Sequence, residues 1–202
     1  RKGENCSNTD CNMIITRLII SNDRLKLSTN NILQLKKEES HYLNNVMRLK
    51  INQEIYITNG QGSLWKAQKI KESSLKIINF NKPFLSQKKK PYLLGLATSI
   101  PKNGFEDILK MSTEIGIDLI QPLITDRQIK KLKSISTKKV RWDSLINESV
   151  EQCERLWKPK ILECKTINDW IPNIIKEDLV SISATRIENS MSLKTWLKKI
   201  EI

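Results

Sequence analysis

Two apolar runs, at 92–100 (YLLGLATSI) and 117–124 (IDLIQPLI), are separated by one amphipathic stretch that closes on Gly116. Phe105, Ile108, Leu109 and Ile115 mark the apolar stripe of that stretch, so it reads as a helix from about Gly104. Glycine suits the residue just past a helix, where a left-handed backbone is favoured. Strand–helix–strand repetition argues for a parallel sheet with helices on its faces. Continuous apolar strands of this kind are expected where both sheet faces are covered. The alternation continues with a helix over 137–157, a strand at 160–164, a helix at 167–175 and a strand at 179–185. In such open α/β sheets ligands sit beyond the carboxyl ends of the strands. The loops at 98–102, 125–127 and 183–186 are therefore the expected rim of a site.

The first half has a different rhythm. A β-branched run at 13–21 precedes three short strands at 54–58, 63–70 and 74–80, with Asn59-Gly60 as a hairpin signal. One helix, at 36–46, interrupts them. This pattern predicts a small antiparallel barrel. The basic, proline-bracketed stretch 81–91 reads as a linker. The expected organisation is a polar extension at 1–12, a barrel at 13–85 and an α/β domain at 91–202. Charge follows the same division: residues 1–90 hold 17 Lys and Arg against 7 Asp and Glu, and residues 91–202 hold 18 against 15. Within a formal net charge of +13 the first half is the cationic one, and such a field attracts polyanions, nucleic acid first.

Other classes find no support. Cys6, Cys11, Cys153 and Cys164 have neither metal nor redox spacing, and His41 is the one histidine. No glycine-rich phosphate loop and no paired-carboxylate motif is present. No apolar run is long enough to span a bilayer, and the N-terminus lacks the apolar core of a secretory signal, so a cytoplasmic protein without metal is expected. On the 137–157 helix, Arg141, Glu148, Gln152 and Arg155 recur on one side, and Glu151 pairs in register with Arg155. The expectation is that this side reaches the strand-end rim. Lys102, just after the first buried strand, adds a cation there.

Three stretches carry a resemblance: 41–62 (HYLNNVMRLKINQEIYITNGQG), 100–127 (IPKNGFEDILKMSTEIGIDLIQPLITDR) and 146–161 (INESVEQCERLWKPKI). Together they resemble the RsmE family of 16S ribosomal RNA uridine-N3 methyltransferases. The resemblance implies a PUA-like RNA-binding barrel, followed by a SPOUT-type α/β domain with a trefoil knot. It implies S-adenosylmethionine as methyl donor, 16S rRNA in the small ribosomal subunit as partner, and a homodimer. Carried over by position, Lys102, Glu151 and Arg155 are the expected catalytic residues. Thr125, Arg127 and Gln152 are expected at the donor, and Glu114 also falls on a motif position. Arg17, His41 and Arg48 are expected to contact RNA. The family pattern continues into a glycine-rich turn and a knot-forming segment, and this sequence stops at Glu201-Ile202, ahead of both. The expectation is a truncated member that does not hold the donor tightly. The alternatives are a non-catalytic RNA-binding or ribosome-assembly protein on the same scaffold, or a protein-interaction module.

Overall fold

The computed structural model describes residues 16–125, 138–176 and 191–198. The chain divides into two compact units, Arg1–Lys165 and Thr166–Ile202.

The first unit contains two separate hydrophobic cores. The earlier one lies under a sheet of β1 (Arg17–Ile19), β2 (Ile32–Gln34), β3 (Glu54–Thr58), β4 (Ser63–Lys71), β5 (Ser74–Ile77) and β6 (Leu85–Ser86). The strand path is β1-β3-β4-β5-β2, with β6 also on β4. Period-two alternation sets its faces: Ile55 and Ile57 of β3 are fully buried, and Trp65 and Ala67 of β4 join them with Leu18, Leu33, Leu75 and Ile77. Two expectations for this half need correction. The path does not close into a barrel, because no pairing joins β1 to β2 among the described residues. Nor is the sheet wholly antiparallel, since β1 runs parallel to β3, with Arg17 opposite Tyr56 and Ile19 opposite Thr58. The strand expected at 13–21 is described only from Thr16 onward, and the polar extension at 1–12 lies outside the described residues.

The helix expected at 36–46 is two pieces, α2 (Lys37–His41) and a π-helical turn (Tyr42–Val46), while a short α1 (Asn22–Lys26) precedes β2. In the π turn the Met47 amide donates to the Tyr42 carbonyl at 2.9 Å. The wide turn is pinned from below. The buried Lys69 ammonium donates to Asn44 Oδ1 and to the Leu49 carbonyl, and Asn44 Nδ2 donates to the Glu72 carbonyl at 3.1 Å.

The second core belongs to the parallel crossover of β7 (Gly95–Ser99), α3 (Phe105–Ile115) and β8 (Leu119–Ile124), followed by α4 (Lys139–Gln152) and β9 (Lys160–Ile161). β8 lies between β7 and β9, parallel to both. Phe105 and Leu109 of α3 meet Trp142, Ile146 and Val150 of α4, and the Phe105 and Trp142 rings stand 4.8 Å apart. Gly116 ends α3 at φ +98°, as expected. Ile115 was expected on the buried stripe but is 75% exposed; the buried face of α3 runs through Phe105, Leu109, Ser112 and Thr113 instead. β7 is also less covered than its apolar run suggests. Leu96, Ala97 and Thr98 are half-buried, because β7 pairs with β8 alone among the described residues.

Backbone pairing ties the two cores together. The Gly62 amide donates to the Leu156 carbonyl at 2.8 Å, and the Lys158 amide donates to the Gly60 carbonyl at 2.8 Å. Gly62 has φ +93°, and a Cβ there would come within 2.5 Å of the Gln87 carbonyl oxygen and 2.6 Å of the Trp157 ring. Only glycine fits this crossing point.

In the second unit, α5 (Ile167–Lys176) is opened by Thr166, whose Oγ1 accepts the Asp169 amide at 3.1 Å, and Pro172 lies within it. A short α6 (Leu193–Leu197) is capped by Ser192, which accepts the Thr195 amide at 3.1 Å.

Candidate functional site

The expected site residues fall in three separate places. The first is the carboxyl rim of the parallel pair. Ser99 ends β7, the Ile100 amide just beyond it donates to the Leu123 carbonyl at 3.2 Å, and Thr125 follows β8 directly. Lys102 is exposed in the turn leading from β7 to α3, and Thr125 is half-buried. Thr98, Ser99 and Thr125 thus stand at this end of the parallel pair, with Lys102 in the turn that follows. Arg127 and the loop at 183–186 lie outside the described residues.

The second place is the amino edge of the same sheet, and it receives what was expected at the rim. Arg155 Nη1 donates to the carbonyls of Thr113 at 2.9 Å and Ile117 at 2.8 Å, and Nη2 contacts Asp118 Oδ1 at 3.2 Å. Those acceptors end α3 and begin β8. The other Asp118 oxygen takes the Leu94 amide at 3.0 Å, which anchors the start of β7. Arg155 thus joins a helix end to two strand starts, about 20 Å from Thr125 at the rise of a six-residue strand. The expectation that Glu151, Gln152 and Arg155 reach the rim is corrected. A crossover helix runs back against the strands it covers, so the carboxyl end of α4 arrives where the strands begin. Gln152 is exposed there.

Glu151 faces the sheet module instead. Its Oε1 accepts the Ile19 amide of β1 at 2.8 Å. Burial pushes its carboxyl up to about 7, against the opposing pull of the Ile19 hydrogen bond, and Glu148 and Glu39 add to the rise. Burial, then Glu151 and Glu148, raise the Tyr42 phenol beside it. Arg17 also belongs to this joint. Its guanidinium donates to the Glu154 carbonyl at 2.7 Å and the Glu154 carboxylate at 3.0 Å, with the side chain 11% exposed. Its Nε is buried with no partner among the described residues. Arg17 was expected to meet RNA, but its outward position on β1 is covered by the carboxyl end of α4, so it holds the two cores together. Its alternation marked it as outward-facing without saying what would cover that face.

The third place is the surface of the β module. His41 is exposed, with Nδ1 2.9 Å from Asn45 Nδ2, and Arg48 is exposed at φ +51°. A non-glycine residue held in that region is uncommon, and π turns recur at functional sites. Arg48 has no ion pair among the described residues.

Sequence reasoning missed two features. One is a cleft of about 940 Å³ at the amino edge, lined by Gln87, Lys89, Lys90, Arg155, Trp157 and Lys160 among others. The other is a cluster on the outer sheet face. Tyr56 and Phe84 have ring centroids 5.4 Å apart, and Lys66 Nζ lies 4.7 Å from the Phe84 centroid. Tyr56 and Lys66 are cross-strand partners, which the hairpin register would have revealed. No group of metal-ligating side chains occurs among the described residues, and none of their helices is long and apolar enough to cross a membrane.

Comparison with known proteins agrees with this two-part arrangement. A family model for an RNA methyltransferase domain matches residues 88–201, and one for an RNA methyltransferase PUA domain matches residues 35–78. The chain is 30% identical over 185 residues to ribosomal RNA small subunit methyltransferase E of a Synechocystis strain, covering 91% of this chain and 59% of that protein. It is 32% identical over 167 residues to the protein of that name from Buchnera aphidicola of Acyrthosiphon pisum, covering 80% and 64%. The chain thus spans about three fifths of the length of these relatives. A crystal structure of the Neisseria gonorrhoeae methyltransferase E bound to S-adenosyl methionine shares its fold. The TM-score is 0.62 at 21% identity, covering 77% of this chain and 63% of the other. The chain belongs to the RNA methyltransferase family, and the resemblance to the RsmE group read from its motifs holds.

Proposed function

We propose that this chain is part of an S-adenosylmethionine-dependent methyltransferase that methylates N3 of a uridine in the 16S rRNA of the small ribosomal subunit. One observation carries the reading. A cationic sheet module with Arg48 exposed precedes a parallel strand pair whose carboxyl rim holds Lys102 and Thr125. The relatives bearing the methyltransferase E name support the substrate class.

The rim suits one wall of a donor site. Thr98, Ser99 and Thr125 offer hydroxyls for the polar edges of the cofactor, and the half-buried face of β7 offers apolar contact. When bound, the donor supplies an electrophilic methyl carbon on sulfur. The residues of the rim then have two tasks. They align the uracil ring for in-line attack, and they stabilise the negative charge that develops as N3 loses its proton. Lys102 takes the second task in this reading. Glu151 and Arg155 are occupied at the opposite edge, so their contribution is to hold the α/β core and its joint to the sheet module. The exposed His41 and Arg48 grip backbone phosphates and leave selection to RNA shape. Completion of the site by a knotted segment like that of the family, and assembly as a homodimer in the cytoplasm, belong to the same proposal.

The test uses the protein extended to the length of its relatives, with donor and small subunits that lack the modification. Mass spectrometry should find a methyl group on uracil N3, and Lys102→Ala should slow its transfer by about a hundredfold, the range of one electrostatic donor. Methylation at another atom, or none, overturns the reading. Arg48→Ala should weaken RNA binding and lower the slope of log affinity against log salt by about 0.7 to 0.9. An unchanged slope removes Arg48 from the interface.

A further inference from the structure

The cleft at the amino edge and the aromatic cluster on the outer sheet face lie at two ends of one short segment. Phe84 packs at a tilt of 48° against Tyr56, with Lys66 over its ring, and Leu85, Ser86 and Gln87, the next residues, line the cleft. The chain continues as Lys88, Lys89 and Lys90, the last two also lining the cleft, and Lys160 faces it from β9. Among the lining charges, Arg155 is paired with Asp118, Glu154 with Arg17, and Lys158 with Asp143. Lys89, Lys90 and Lys160 have no ion pair among the described residues, and Glu114 is the one lining carboxylate in that position. The excess is therefore cationic. Phe84, adjoining it, leaves 57% of its surface in water although a large apolar ring gains from burial.

We propose that this track binds a second, single-stranded segment of the RNA substrate, on the edge of the sheet away from the methylation rim. A base stacks on the Phe84–Tyr56 pair, and the following phosphates lie along Lys89, Lys90 and Lys160. Aromatic rings beside a cationic groove are the general chemistry of single-strand binding: every base has a face to stack, and every nucleotide carries a charge. An acidic peptide would satisfy the lysines but gain nothing from the ring pair. The inference rests on the reading of the chain as an RNA methyltransferase and adds where the strand runs.

The 202-residue chain is titrated with a fluorescein-labelled oligouridylate and followed by anisotropy over a range of salt. Phe84→Ala should weaken binding about tenfold, and Phe84→Trp should restore it. The triple variant Lys89→Ala, Lys90→Ala, Lys160→Ala changes only surface side chains, and it should lower the salt slope by about 2. Melting curves establish that each variant is folded. A folded triple variant with the wild-type slope overturns the track, as does wild-type affinity in folded Phe84→Ala. Tight binding of poly-glutamate that Phe84→Ala leaves unchanged, with no binding of oligouridylate, also overturns it. Arg48→Ala separates the two levels. If Arg48→Ala weakens RNA binding while the track variants do not, the track alone fails. If no variant and no RNA gives a response, the RNA reading fails with it.

Discussion

Arg155 satisfies three carbonyls and one carboxylate at a place where a helix ends and two strands begin. A guanidinium fork can do this and an ammonium cannot. Arg155→Ala should cost about 3 kcal/mol of stability by leaving Asp118 half-buried without its partner, and Arg155→Lys should recover less than half of it. Denaturant midpoints measure both. Glu151 gives a prediction in pH. Its folded carboxyl holds a proton up to about 7, against an ordinary value of 4.5. The folded chain therefore binds that proton more tightly than the unfolded chain does. Stability contributed by Glu151 rises as pH falls through 7 and levels off below 4.5. Glu151→Gln keeps an acceptor for the Ile19 amide and should flatten that part of the pH–stability curve; thermal melts across the window check it. A curve of unchanged shape would mean that the carboxyl is not the titrating group.

Elements with a strong local signature were readable, and those fixed by distant partners were not. β3 lies where alternation and Asn59-Gly60 put it, and the Gly116 stop is where the spacing demands. The short α1, β2 and β6 were not expected. Each is five residues or fewer, and partners elsewhere in the chain hold it: Gln34 of β2 faces Ser74, and Leu85 of β6 faces Leu64. The helix at 36–46 was found, but not its change to π geometry, which depends on Lys69 from another strand. The placement of 146–155 shows the larger gap. Spacing put these residues on one side, but the structure turns Glu151 to the Ile19 amide and Arg155 to the end of α3, and which end of the sheet they meet depends on helix direction, which topology decides. At this scale Gly62→Ala is the sharpest perturbation. A Cβ would strike the Gln87 backbone at a positive-φ position, so the exchange should cost at least about 3 kcal/mol, read by urea denaturation. Gly104→Ala, whose nearest neighbour is a side-chain oxygen at 3.9 Å, is the control and should cost less.

At the level of the whole molecule, the two cores of the first unit meet through few but specific contacts: Glu151 with Ile19, Arg17 with Glu154, and the paired stretch of residues 60–62 with 156–158. The last of these has a consequence for how the polypeptide is made. Translation delivers the hairpin tip early and Leu156 much later, so the Gly62 amide must stay hydrated until Leu156 has emerged. The earlier module is then able to collapse around its own apolar residues during synthesis, but its tip locks only once the later one has been built. A nascent chain stalled before Leu156 should accordingly be cut by protease at 59–62 and spared there once residues 156–158 are out.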